Sequence, residues 1–249
     1  QIITQPLQQQ HVWDVRKAGL GLLLSKRTYS RAIAFLEDVS VPPEHLAAFI
    51  TAFKNYLASK GKEAGIYGHV GAGCMHIRPY IDLRSHEEVS LMHQMMLDLS
   101  SLVLENGGAL SGEHGDGLIR TWLNEKMFGS RLYQALCEIK GAFDPGNTLN
   151  PGKVVHGPFL LENLRISPDT NIRQIDTFLD FSPEGGFSLA ADLCNGNGLC
   201  RKTEGIMCPS FQATGNEFDT TRARAQALRA VINGRWKIED FTSQKVGEV

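Results

Sequence analysis

The sequence predicts an α+β fold: an antiparallel sheet flanked by helices, followed by a linker and a small, mainly helical segment that carries cysteines. Three observations predict it. Strand-like and helix-like periodicities alternate through the first 155 residues. None of the strand-like runs has the long, continuously apolar character of a parallel sheet buried on both faces. The composition then changes twice, first to a stretch punctuated by Pro and Gly, then to one holding three cysteines. The expected domains are residues 1–155, incomplete at the N-terminal side, an extended linker over 156–189, and the incomplete start of a cysteine-bearing domain over 190–249.

Taken in order, Arg31 to Glu37 with Ile33 and Phe35 reads as a strand, ended by Val41-Pro42-Pro43. Glu44 to Ser59 carries Leu46, Phe49, Ile50, Phe53 and Leu57 at helical spacing, and Gly61 closes it. Ile66 to Val70 and Met75 to Arg78 read as short strands joined through Gly71-Ala72-Gly73. Ser85 and Glu88 form a capping box for a long helix. Its buried face runs through Val89, Met92, Met96, Leu99 and Val103, and Gly107-Gly108 stops it. A further helix spans Arg131 to Lys140, after which Phe143-Asp144-Pro145-Gly146 turns the chain. The linker, with Pro158, Pro168, Pro183 and Gly185-Gly186, holds at most one hairpin around Asp176 to Phe181. Thr221 to Asn233 reads as a last helix before Gly234.

A formal net charge of -2 gives no electrostatic reason to expect nucleic acid or an anionic membrane as partner. No apolar run approaches the roughly 20 residues that span a bilayer. Cys74 and Cys137 stand isolated, which argues against a disulfide framework and for a reducing compartment. The first residue is Gln rather than Met and the last six are polar or small, which suggests a piece of a longer protein.

Chemistry concentrates in three places. Cys194-Asn195-Gly196-Asn197-Gly198-Leu199-Cys200 and Met207-Cys208-Pro209 put three of the five cysteines within fifteen residues. Thiolates close in sequence, glycine turns and a Cys-Pro step have the texture of an iron–sulfur site, although C-x5-C-x7-C-P differs from the familiar bacterial spacing. A structural zinc is the rival, weakened by uneven spacing and by the lack of a nearby histidine. In the first zone, Tyr67-Gly68-His69-Val70-Gly71-Ala72-Gly73-Cys74-Met75-His76 and Ser111-Gly112-Glu113-His114-Gly115-Asp116-Gly117 gather hard ligands among glycines. Two imidazoles seven apart across a tight turn, completed by a carboxylate from another loop, suit a three-ligand metal site open to substrate. His114 beside that carboxylate suits a general base. Each histidine taken singly is better explained as a polar loop residue; taken together, the flanking glycines and the apolar strand-like run before each segment favour the site.

The motifs together resemble the C-terminal, substrate-side domain of FAD-linked 2-hydroxy-acid dehydrogenases, of the vanillyl alcohol oxidase and para-cresol methylhydroxylase superfamily. The resemblance rests on Trp13-Asp14-Val15-Arg16-Lys17, Asp38-Val39-Ser40-Val41-Pro42, Gly68 to His76, Gly112-Glu113-His114-Gly115, Phe143-Asp144-Pro145 and Leu149-Asn150-Pro151-Gly152-Lys153. The cysteine segment resembles the ferredoxin-type extension of large fused bacterial members that act on D-2-hydroxyglutarate or D-lactate. The resemblance implies that His69, His76 and Glu113 hold a divalent metal of the Zn, Mn or Fe type. It implies that His114 takes the substrate hydroxyl proton and that Arg16 clamps the substrate carboxylate with its two-pronged donor geometry. Asn150 and Lys153 match the segment that closes against the flavin, with a plain Asn-Pro-Gly turn as the alternative. Ala72 and Cys74 replace the acid and amide of the commoner Gly-Asp-Gly-Asn turn, which leaves the substrate contacts of that turn open.

The implied reaction oxidises a D-2-hydroxy acid of 2-hydroxyglutarate, lactate or glycolate type to the 2-oxo acid. FAD is expected to be bound mainly by a domain outside this chain, since no Gly-rich pyrophosphate loop is legible here. The isolated chain should then hold FAD poorly and turn over little. Cys194, Cys200 and Cys208 are the candidate ligands of an iron–sulfur cluster that passes electrons onward. The implied partners are the small acid, the flavin domain and a further iron–sulfur domain of the same protein, and a downstream electron acceptor. The expected location is the cytoplasm, with a peripheral station at the inner membrane face as its variant. Two other classes remain at this level: an iron–sulfur electron-transfer or scaffold module without its own catalysis, and a metal-dependent hydrolase using His69, His76 and Glu113.

Overall fold

The computed structural model describes residues 2–242, so residue 1 and residues 243–249, the end of the expected third segment, lie outside the described residues. In chain order the elements are α1 (Pro6–Leu24), β1 (Arg31–Ala32), β2 (Leu36–Ser40), α2 (Leu46–Ser59), β3 (Ala64–His69), β4 (Cys74–Ile81), α3 (His86–Glu105), α4 (Gly117–Arg120), α5 (Asn124–Phe128), α6 (Ser130–Phe143), α7 (Phe187–Asp192), α8 (Pro209–Thr214) and α9 (Thr221–Ile232). They fall into two compact units, one of residues 30–168 and one combining the residues up to 29 with those from 169 onward.

In the first of these units, β4 is the shared partner of an antiparallel sheet. β3 pairs along one edge, with Tyr67 opposite His76 and His69 opposite Cys74. β1 and then β2 run along the other, from Arg31 opposite Ile81 to Ser40 opposite Cys74. Side chains alternate across a strand. Leu36, Val39, Met75 and Ile77 therefore face the core, while Tyr67, His69 and His76 share the opposite face. The sequence predicts one strand over 31–37, but the chain turns out of the ladder around Phe35. That side chain is wholly buried, and the register slips as Ala32 faces Tyr80 and Leu36 faces Ile77.

Helices α2 and α3 cover the core face. α2 buries Leu46, Phe49, Phe53 and Leu57, at the expected spacing. α3 buries Val89, Met92, Met95, Met96, Leu99 and Val103, so the stripe legible in the sequence is the buried one, with Met95 added. Ser85 caps α3 by accepting the Glu88 N–H at 3.3 Å. The reciprocal half of the expected capping box does not form, because the Glu88 carboxylate binds the Asp82 N–H at 2.8 Å and Lys62 at 2.6 Å instead. α6 extends the expected 131–140 helix by a residue or more at each end. The following turn is fixed by Asp144, whose carboxylate accepts the N–H groups of Thr148 and Leu149, both at 2.9 Å.

In the other unit, Leu189 and Ala191 of α7 and Ala227, Val231 and Ile232 of α9 are buried. Thr220 caps α9 by accepting the Ala223 N–H at 2.9 Å. The hairpin expected around Asp176 to Phe181 does not form: no strand lies there. Thr177 Oγ1 donates to the Leu179 carbonyl and Asp180 Oδ1 accepts the Ser182 N–H, both at 2.8 Å, so local side chains take up the backbone groups a ladder needs. No helix among the described residues is long and apolar enough to cross a membrane.

Candidate functional site

The sheet face opposite the helices carries the chemistry. His76 stands on the central strand, 3% exposed, and His69 lies diagonally across the β3–β4 pair on the same face. Cross-strand diagonal neighbours are within reach of long side chains, and the two rings meet edge to face with centroids 5.4 Å apart. The tight turn between them depends on Gly73, at φ +65°, where a Cβ would collide with the Val41 carbonyl oxygen.

The third contributor is the 109–114 segment, which runs beside β2. Ala109 and Ser40 exchange backbone hydrogen bonds, and the Gly112 N–H donates to the Asp38 carbonyl at 2.7 Å. That approach is close enough that a Cβ on Gly112 would stand 3.1 Å from Ser40 Cβ and 3.3 Å from Cys74 Sγ. It delivers Glu113 and His114 onto the imidazole face. Glu113 Oε1 lies 3.3 Å from His69 Nε2, 3.1 Å from His76 Nε2 and 3.5 Å from His114 Nε2. His114 stacks on His76 with centroids 5.0 Å apart. Asp38, His76, Glu113 and His114 each place a donor atom within 4.8 Å of the other three.

Imidazoles and a carboxylate gathered around Glu113 are donor types that suit a divalent cation. Donors each about 2.0–2.2 Å from one ion stand roughly 3–3.5 Å from one another, which is the distance from the Glu113 oxygen to each strand imidazole, while His69 stands outside the group whose donors all lie within 4.8 Å of one another. A carboxylate oxygen has two lone pairs and cannot accept from three imidazole N–H groups at once, whereas an ion shared by Glu113 and the lone pairs of the His69 and His76 nitrogens would remove that conflict. His76 Nδ1, buried without a hydrogen-bond partner, faces Glu37 Oε1 at 3.9 Å, a carboxylate placed to orient the ring. Burial holds the His76 imidazole below its ordinary value despite the neighbouring carboxylates, which favours the neutral ring.

Beneath these groups lies a network with no signal in the sequence. Asp38, fully buried, accepts the Ser111 hydroxyl and the His114 N–H at 2.8 Å each and the Glu113 N–H at 2.9 Å. Burial pushes its carboxyl up, but those hydrogen bonds outweigh burial and hold it below the usual carboxylate range. Arg120, also buried, donates to the carbonyls of Glu37 and Gly115 and lies 3.6 Å from Asp38. Glu37 in turn accepts from Arg78 at 2.5 Å and from the Tyr67 hydroxyl at 3.2 Å. Burial and the charge of Asp38 push the Cys74 thiol up to about 11, so this cysteine stays a neutral thiol near neutrality. An open groove of about 310 Å³ beside Glu113 is lined by Ser111, Gly112, Asp116, Met127 and Phe128 among others.

The structure thus brings together four of the predicted residues, His69, His76, Glu113 and His114. Arg16 is exposed on α1, in the other compact unit. Asn150 and Lys153 lie on the loop after α6, where Asn150 is exposed at φ +49° and the Lys153 carbonyl accepts the Val155 N–H at 2.8 Å. That loop is tied to the site side by Asn124, whose amide donates to the Val154 carbonyl at 2.8 Å and to Asp116 at 3.0 Å. Cys194, Cys200 and Cys208 do not gather: among the described residues no group of three metal-binding side chains forms around them. Cys208 is nonetheless distinctive, buried at φ +55°, with its sulfur accepting the Thr221 N–H at 3.3 Å. Hydrogen bonds from Thr221 lead in lowering its thiol to about 7.

Among the described residues, no Gly-rich strand-to-helix turn of the kind that cradles a dinucleotide pyrophosphate accompanies the antiparallel sheet, so these residues do not fit a flavin cradle of that type. The comparisons agree with a chain that is one part of a flavoprotein. The family described as FAD linked oxidases, C-terminal domain, matches residues 1–154. A D-2-hydroxyglutarate dehydrogenase of Pantoea ananatis is 37% identical over 88% of this chain and 22% of its own length. One from Escherichia coli K12 is 36% identical over the same shares. Glycolate oxidase subunit GlcD of Bacillus subtilis is 30% identical over 57% of this chain and 29% of its own length. The chain therefore spans about a fifth of the length of the D-2-hydroxyglutarate dehydrogenases it matches. With residues 1–154 matched, this chain belongs to the family of FAD-linked oxidases, of which it carries the C-terminal domain.

Proposed function

We propose that this chain forms the substrate side of a FAD-linked dehydrogenase that oxidises a D-2-hydroxy acid, of 2-hydroxyglutarate, lactate or glycolate type, to the 2-oxo acid. The observation that carries the reading is the convergence of three imidazoles on Glu113 Oε1 within 3.1–3.5 Å, with His114 as the imidazole not needed for a three-ligand site.

His69, His76 and Glu113 would hold a divalent ion, which supplies Lewis acidity toward the oxygens of the acid. FAD, bound by the whole protein, supplies the hydride acceptor for C2. His114 takes the hydroxyl proton; its ring is half exposed, and its stacking on His76 fixes the ring plane. Together the two departures leave the 2-oxo acid, so protons and electrons balance. Arg16 is assigned to the substrate carboxylate, and Asn150 and Lys153 to the flavin side. An iron–sulfur role for Cys194, Cys200 and Cys208 is supported by their clustering in sequence and by the acidic Cys208 thiol. Iron and sulfide content after anaerobic reconstitution tests it separately.

The decisive experiment uses the whole flavoprotein under anaerobic conditions, mixing it with D-2-hydroxyglutarate, D-lactate and glycolate and following flavin bleaching. His114→Ala should slow bleaching by about 10²–10⁴-fold, the usual worth of a general base, and chelation of the metal should stop it. Unchanged bleaching by His114→Ala would mean that the site is not catalytic, which is the outcome an electron-transfer scaffold requires.

A further inference from the structure

The site rests on an irregularity in β2. Leu36 lies opposite Ile77 and Val39 opposite Met75, so three steps on β2 face two on β4. Glu37 and Asp38 therefore both oppose His76. In a regular strand, neighbouring side chains point to opposite faces; the extra residue of a bulge cancels that alternation locally. Asp38 absorbs the change at φ +74°, a conformation that Asp tolerates better than most residues. Two adjacent carboxylates thereby reach one site. Glu37 stands beside His76, and Asp38 lies under Glu113 and His114.

Asp38 belongs to the group of potential metal donors, but a count of its acceptor positions gives it another task. An ionised carboxylate offers about four lone-pair sites. Oδ1 takes the Glu113 N–H at 2.9 Å and the Cys74 thiol at 3.6 Å. Oδ2 takes the Ser111 hydroxyl and the His114 N–H, each at 2.8 Å. Nothing is left over for an ion. We propose that Asp38 is the positioning residue of this centre: a bulge carboxylate that pins the backbone of Glu113 and His114 to the sheet and so fixes the metal-binding carboxylate and the base relative to the strand imidazoles. The proposal rests on the reading of His69, His76 and Glu113 as metal ligands. Its physical content is that the ligand from the loop is held at the same site as the ligands from the sheet by one side chain rather than by loop stiffness. The glycines at 112 and 115 leave the loop little stiffness of its own.

The test uses the 249-residue chain, metal-free, titrated calorimetrically with Mn(II) and with Zn(II). Asp38→Asn keeps the shape and the tolerance for positive φ but turns an amide NH₂ toward N–H donors. The expected result is about 10–100-fold weaker binding, the usual effect of losing an outer-sphere partner, from a chain whose thermal unfolding shows that it remains folded. Ser111→Ala removes only the hydroxyl donor and should leave the affinity close to that of the parent. A folded Asp38→Asn chain with unchanged affinity would overturn the proposal, because a merely structural role moves the unfolding midpoint and not the affinity. Backbone hydrogen exchange gives a second readout that needs no metal. The Glu113 and His114 amides should be protected in the parent chain and fast in Asp38→Asn; fast exchange in the parent would overturn the strap. A parent chain that binds neither ion would refute the metal reading, and the exchange rates would then decide for or against the strap on their own.

Discussion

Arg120→Met replaces a buried cation by an apolar chain of similar length. The guanidinium lies 3.6 Å from Asp38 and donates to the carbonyls of Glu37 and Gly115. At an effective dielectric constant near 20, a charge pair at that distance is worth about 4.6 kcal/mol. Each carbonyl deprived of a charged donor costs roughly 1–3 kcal/mol. Against these losses stands the desolvation of Arg120, which is deep enough to push its own ionisation down and which the mutation recovers. Breaking one partner of a buried pair nets about 3–5 kcal/mol, a large share of a typical domain stability of 5–15 kcal/mol. The assay is urea unfolding followed by Trp122, which meets Phe159 edge to face and lies tilted against His93, in a chain whose two other tryptophans, Trp13 and Trp236, are replaced by Phe. Trp122 reports the unit that contains Arg120. Arg120→Lys separates the contributions: it keeps a charge near Asp38 but not the planar fork, and should recover part of the loss. A loss below about 1 kcal/mol in Arg120→Met would refute the view that Asp38 depends on this cation.

Phe53, wholly buried in α2, should cost about 3–5 kcal/mol as Phe53→Ala in the same assay. Thiolate absorbance of the metal-free chain should show a titration with a midpoint about 7, lost in Cys208→Ser. Because folding lowers this thiol from 9.0, the ionised form contributes stability above the ordinary thiol value, and that contribution is lost as pH falls through about 7. The difference in unfolding midpoint between the parent and Cys208→Ser chains should therefore grow as pH rises from about 7 to 9.0 and level off above.

The helices of the core were legible because α2 and α3 repeat their apolar residues at 3.6 and carry Ser85 or glycine at their ends. The β3–β4 pair was legible from its glycine turn. The meeting of His69, His76 and Glu113 was legible as ligand types among glycines; the β3–β4 register brings the two imidazoles together, and the docking of the 109–114 segment on β2 brings Glu113. Asp38 lay within a motif that was read, yet its role was invisible: a bulge depends on what the opposite strand does, and Met75 and Ile77 are nearly forty residues away. Arg120 was missed because sequence pattern places arginine at the surface by default, and only the carbonyls and carboxylate converging on it make its burial tolerable. The short helices α4 and α5 have too few turns to show a period.

β4 has one more consequence, which concerns the order of events as the chain is made. Its pairing with β3 closes only a short turn, so the two strand imidazoles come together at small cost in loop entropy. Glu113 lies beyond the whole of α3 and arrives later during synthesis. On the proposed metal reading, a nascent chain offers two of the three ligands before the anionic arm exists. An ion caught early by these two would recruit the arm and favour docking of the 109–114 segment against β2. Metal supply during translation, rather than after it, would then set the yield of correctly assembled sites.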